Sequence, residues 1–152
     1  MGDPINIIPN PSSDVTVIEL ATALIRVFEG LKLTAYRDSG GILTIGYGHT
    51  GPDVQEGMTI TEAQARALLE KDQAHLFRMV EGKSVLEAAA LVSFGYNCGA
   101  GALVKVLQGH AFMLDYIRDH KGNILPGLVA RRELEETLAC LGQQQQSAHE
   151  HE

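Results

Sequence analysis

Residues Phe28 to Thr50 read FEGLKLTAYRDSGGILTIGYGHT. LTAY and ILTIGYG flank DSGG, the pattern of two short strands joined by a Gly-rich turn. Glu29 stands just ahead of the first strand, Asp38 opens the turn, and Thr44 lies in the second strand. In Leu43-Thr44-Ile45 the side chains alternate, so the apolar pair turns to one face of the sheet and Thr44 to the other.

Upstream, Val17, Ala21, Leu24, Phe28 and Leu31 recur at helical spacing, with Ile18 and Ile25 beside them. Asp14 is expected to cap this helix and Gly30 to stop it, which puts Glu29 in its last turn. Downstream, a third short strand is expected within 49–58. Thr61/Gln64 and Ser84/Glu87 read as two capping boxes, opening helices to about Val80 and Cys98. Shorter helical stretches are expected near 101–108 and 111–119, and a last amphipathic helix from Pro126 to Leu141, with Gly142 past its end. A helix, a small sheet and then only helices is an α+β plan. Such a plan leaves a cleft between the antiparallel sheet and the mainly helical lobe, and clefts are where sites form. The expected organisation is an extended arm over 1–13, one domain over 14–142 and a disordered polar tail over 143–152. The domain divides into a helix plus small β lobe (14–60) and a helical lobe (61–142).

Glu29 at a helix C-terminus meets backbone carbonyls that disfavour an anion. If apolar neighbours also desolvate it, the protonated form is favoured, as a general acid requires. Asp38, among turn N–H groups, is expected to stay ionised. An acid and a carboxylate in contrasting surroundings are the pair that glycoside hydrolysis uses. A Thr44 hydroxyl on the cleft face would hold the water that Asp38 activates. Taken singly, each residue also fits a bland reading: a helix-end Glu, a turn Asp, a strand Thr.

Composition narrows the classes. The chain has 152 residues, 45% hydrophobic and 20% charged, the balance of one soluble domain. Its net charge of −7 argues against nucleic acid and against attraction to anionic surfaces. No long apolar run and no basic-then-apolar leader is visible, so neither membrane insertion nor a signal peptide is expected. Cys98 and Cys140 stand far apart, without the spacing of a metal site or a disulfide framework. No metal and no cofactor are expected, and a monomer is.

Eight residues separate Glu29 from Asp38 and five separate Asp38 from Thr44. With EGL, AYRD and TIGYGHT around them, these residues resemble the phage-type lysozymes, the endolysins of glycoside hydrolase family 24. ALVSFGYNCGAGAL (90–103) and GLVARRELE (127–135) resemble two further segments of that family. The resemblance implies a lysozyme-like fold and a muramidase that cleaves the β-1,4 bond from N-acetylmuramic acid to N-acetylglucosamine in bacterial peptidoglycan. Glu29 is then the acid, Asp38 and Thr44 position the water, and the anomeric outcome is inversion. Tyr96 and Asn97 match a pair at the cleft floor, where an aromatic face suits a sugar and an amide suits its acetamido group. Thr50 joins them on the substrate side. His49 is read as structural support, with Asp72 as its carboxylate partner. Of Arg131 and Arg132, one is expected to reach Glu29 and the other to lie on a solvated helix face. The chain lacks the family's Trp ahead of GLV, and Tyr116 or Phe112 is expected in its place.

The implied role is host cell lysis, with the enzyme held in the host cytoplasm until a holin-type pore releases it to the wall and periplasm. Two alternatives are an antibacterial effector muramidase and a wall-binding relic that has lost turnover.

Overall fold

The computed structural model describes residues 16–151, and the expected arm and Asp14 lie outside them. α1 spans Val17–Glu29. A sheet follows, with β1 (Lys32–Arg37), β2 (Leu43–Gly46) and β3 (His49–Thr50). The rest is helical: α2 (Glu62–Met79), α3 (Val85–Cys98), α4 (Ala100–Leu107), one 3₁₀ turn (Met113–Asp115) and α5 (Pro126–His149). The α+β plan is therefore as expected.

The cap of α1 is Thr16. Its Oγ accepts from Glu19 N at 3.1 Å while Glu19 Oε2 accepts from Thr16 N at 3.0 Å. That reciprocal box satisfies a donor at each end of the first turn. Thr61 and Gln64 make the expected box on α2. The Ser84 box is only half formed. Ser84 accepts from Glu87 N, but the Glu87 carboxylate turns to Lys83 Nζ at 3.3 Å.

β1, β2 and β3 form an antiparallel sheet in that order, with Tyr36 opposite Thr44 and Thr44 opposite Thr50. β1 is an edge strand, with a bulge between Lys32 and Tyr36, and its outer edge bonds to residues 58–60 through Ala35 N to Met58 O and Ile60 N to Leu33 O. These bonds tie the segment leading into α2 to the sheet.

α3 carries the core. Residues 88–95 are all buried, because α1 and α5 pack on it from two sides and α2 and α4 close the rest. A helix apolar on every side is one surrounded by other elements.

Two helical expectations are corrected. The 111–119 stretch keeps a single 3₁₀ turn, Met113–Asp115, where Asp115 Oδ2 accepts from Phe112 N at 2.8 Å, and its end leaves helical geometry as Arg118 bridges Ile124. The tail expected to be disordered continues α5 to His149. Gly142 does not stop this helix. A Cβ on it would meet Ser84 Oγ at 2.3 Å and Glu87 N at 2.6 Å, so the glycine lets α5 abut the start of α3. Gln143 Nε2 then donates to Glu87 Oε1 at 3.2 Å and Gln146 Nε2 to Gly82 O at 3.4 Å, anchoring the polar extension.

Candidate active site

Glu29 is the last residue of α1, and the connection through Gly30 leads at once into β1. Its two oxygens meet different surroundings. Oε1 accepts from Arg131 Nη1 at 2.6 Å. Oε2 lies against Gly48, where a Cβ would come within 3.3 Å of it. Gly48 adopts φ +85°, so the chain passes the carboxylate with bare backbone in a conformation that favours glycine. Gly48 also lines a cavity of about 280 Å³ with Thr50, Asp72, His75, Leu76, Gly95, Tyr96, Gly99 and Ala100. This cavity lies between the sheet and the helical lobe; Glu29 is not among its lining residues and borders it only through Gly48.

Asp38 sits in the β1–β2 turn. Its Oδ1 accepts from Gly40 N at 2.8 Å and Ile42 N at 2.9 Å, while its own N–H donates to Ile42 O at 3.0 Å. Thr44 is buried, and its hydroxyl donates to Ile42 O at 2.9 Å. Directly opposite residues of an antiparallel pair share a sheet face. Thr44 pairs with Thr50, so it turns to the side on which Thr50 lines the cavity.

The expected His49–Asp72 pair forms, Nδ1 to Oδ2 at 2.6 Å, and links β3 to α2. Asp53 adds a partner that sequence reading missed, 2.9 Å from Nε2 through Oδ2. Burial pulls the His49 pKa down, but Asp72 and Asp53 outweigh it and the net shift is upward. The same contact holds the Asp53 carboxyl below its usual range. A His four residues before an Asp was visible in the sequence, but only the loop's return brings the two together.

Tyr96 lines the cavity, and its hydroxyl donates to Tyr47 O at 2.6 Å. Burial, then the charges of Asp72 and Glu29, push this phenol above its ordinary value. Asn97, expected to offer its amide to an acetamido group, is not among the residues lining that cavity. Its Oδ1 accepts from Arg132 instead.

Arg131 is the arginine that reaches Glu29. Nη2 also donates to Ser93 O at 3.0 Å, and the guanidinium lies 5.2 Å from the centre of the Phe28 ring. Arg132, expected on a solvated face, is wholly buried. It bonds Glu135, Asn97, Cys98 Sγ and Tyr116 O, and lies over the Phe94 ring. The tolerable burial of a guanidinium depends on such a full set of partners. Tyr116 packs edge-on to Phe94, whereas Phe112 is exposed, so Tyr116 is the aromatic that joins this cluster. Glu135 was missed, although its i+4 and i+3 spacing from Arg131 and Arg132 was a usable signal. Ser93 carried none.

Comparison with known proteins places the family and the fold. Residues 26–135 match the family described as phage lysozyme. The SAR-endolysin of Bacteriophage PS119 is 37% identical over 131 residues, covering 76% of this chain and 78% of that protein. The endolysin of Lactococcus phage c2 is 40% identical, covering 76% of this chain and 56% of that longer protein. Among solved structures, the endolysin from Escherichia coli O157:H7 phage FAHEc1 superposes with a TM-score of 0.68 at 30% identity, covering 83% of this chain and 94% of that one. The muramidase domain of SpmX from Asticaccaulis excentricus gives 0.66 at 30% identity, over 78% and 93% of the two chains. On the extent of these matches, the chain belongs to the phage lysozyme family.

Proposed function

We propose that this lysozyme cleaves the β-1,4 bond between N-acetylmuramic acid and N-acetylglucosamine, with Glu29 as general acid and Asp38 and Thr44 positioning the attacking water. Peptidoglycan hydrolysis is the activity of its family; the roles of the individual residues are our reading. The observation that carries it is the division of labour at Glu29, with Oε1 tied to Arg131 and Oε2 facing the cavity glycine. One oxygen fixes the group and the other is presented to a leaving oxygen. The sugar chain would lie along the cavity, against Tyr96 and Thr50.

In this reading the protein acts as a phage endolysin at the bacterial wall. It waits in the host cytoplasm until a holin-type pore releases it, and it works as a monomer. No described helix is long and apolar enough to cross a membrane. Lysis timing with and without a co-expressed holin tests the route.

Purified peptidoglycan tests the chemistry. Wild type should release N-acetylmuramic acid reducing ends, and Glu29→Gln should lose ~10²–10⁴-fold in rate while keeping its fold. A mutant at wild-type rate would remove Glu29 as the acid. A wild type that binds wall without releasing ends would mark a binding relic.

A further inference from the structure

Arg131 engages Glu29 through Nη1 and Ser93 through Nη2, which leaves Nε. That nitrogen is buried with no hydrogen-bond partner, and 3.5 Å away is Glu135 Oε2, also buried and without one. The other oxygen of Glu135 is bound to Arg132 Nη1. Glu135 is fully buried, one carboxylate between two guanidiniums. A buried ion pair is weak evidence for stability, because desolvation offsets the attraction. Its value here lies in orientation.

We propose that Glu135 is a positioning residue for the catalytic acid, holding the Nε edge of Arg131 so that Nη1 stays against Glu29. This rests on the reading of Glu29 as the acid. A planar guanidinium held only at Ser93 can pivot about that contact. A carboxylate at the opposite edge, with the Phe28 ring beneath, removes the pivot. Charge points the same way. Once Glu29 has given up its proton, Glu29, Arg131, Glu135 and Arg132 sum to zero. Glu135 is itself anchored by Arg132, which is fixed at Tyr116 O, Asn97 and the Phe94 ring. The orienting contacts therefore run from the α3–α5 core out to Glu29.

The experiment compares kcat and KM of Glu135→Gln in the wild-type and Arg131→Lys backgrounds on soluble glycan fragments. Lys keeps the charge but cannot bridge Glu29 and Glu135. In the wild-type background kcat should fall about 10- to 100-fold, the scale of a misplaced catalytic group. KM should stay within about twofold. In the Arg131→Lys background the same change should add nothing, the non-additivity of residues acting through one another. Glu135→Asp should recover most of the loss. If Glu135→Gln does not fold, the paired Arg132→Gln, Glu135→Gln variant, which removes both buried charges, should fold and show the same kcat loss. Equal losses in both backgrounds, or a folded paired variant with wild-type kcat, would overturn the proposal. Glu29→Gln run alongside separates the two claims. Full activity there fells the acid reading and this one with it, whereas an inactive Glu29→Gln beside an unaffected Glu135→Gln fells only this one.

Discussion

Asp38 and Asp119 sit in the same turn and differ in one oxygen. Each Oδ1 accepts from the N–H groups two and four residues on. Each backbone N–H donates to the carbonyl four residues on, and the preceding arginine, Arg37 or Arg118, donates to the glycine carbonyl of its turn. In the Asp119 turn Oδ2 is also taken, by Asn123 Nδ2 at 3.1 Å. Among the described residues Asp38 Oδ2 accepts nothing. The turn needs one carboxylate oxygen, and of the two only Asp38 leaves the other without a partner among the described residues.

Asparagine at each position separates scaffold from chemistry. An amide oxygen can still accept both turn N–H bonds, so Asp38→Asn and Asp119→Asn should both fold. Asp38→Asn should lose ~10²-fold or more in kcat, since an amide is no base. Asp119→Asn should stay within about twofold of wild type. Comparable losses at both sites would mean that Asp38 serves only the turn.

The His49 bridge makes stability depend on pH. Its folded pKa is raised above the ordinary 6.5, so its contribution is complete below that pH and is lost as pH rises through the folded value. The Asp53 pKa is lowered below 3.8, so its contribution is present above 3.8 and lost as pH falls through the folded value. Together they give a maximum between about pH 4 and 6.5 from this site. Urea melts of wild type and His49→Gln at pH 5, 7 and 9 check the sign. The gap between them should be widest at pH 5 and shrink by pH 9. A gap that grows with pH would mean the histidine is held neutral.

What could be read in the sequence was local. The hairpin, the helix starts at Thr61 and Ser84, and the Glu29–Asp38–Thr44 spacing all rest on residues near one another in the chain. Arg132 was misread because its neighbours in sequence gave α5 an amphipathic look, while its partners Asn97 and Tyr116 come from elsewhere in the fold. Gly142 was misread as a helix end because a glycine serves both as a stop and as a close-approach site, and Ser84, which decides between them, is distant in sequence. The Glu29–Arg131 contact spans 102 positions and was expected only through the family resemblance.

Burial decides what the two types of arginine contribute. Arg132 has no exposed surface and its removal leaves Glu135 without its closest cation. Arg132→Ala should cost about 3–5 kcal/mol, the cost of breaking a buried pair from one side. Arg66 pairs with Glu62 at 3.1 Å on the surface of α2, and Arg66→Ala should cost less than about 1 kcal/mol. Denaturant titrations of the two variants measure both. Equal costs would place Arg132 in effective contact with solvent.

The anomeric outcome tests the proposed water most sharply. Inverting glycosidases place a water against the anomeric carbon, whereas retaining ones place a carboxylate there. An attacking water must donate its hydrogens and keep a lone pair for the sugar, so its holders must be acceptors. Asp38 Oδ2 is one. Thr44 is the other in the proposed roles: its hydroxyl proton already goes to Ile42 O, leaving the oxygen to accept. Thr44 lies on the sheet face that Thr50 presents to the cavity, opposite in the ladder. A carboxylate nucleophile would need such a hydroxyl less. Proton NMR of the first-formed product from a β-linked substrate should therefore show the α-anomer, and Thr44→Val should slow its formation without changing the anomer. A β-anomer, or a trapped glycosyl adduct on Asp38, would mean that Asp38 attacks the sugar itself and that Thr44 holds the turn alone.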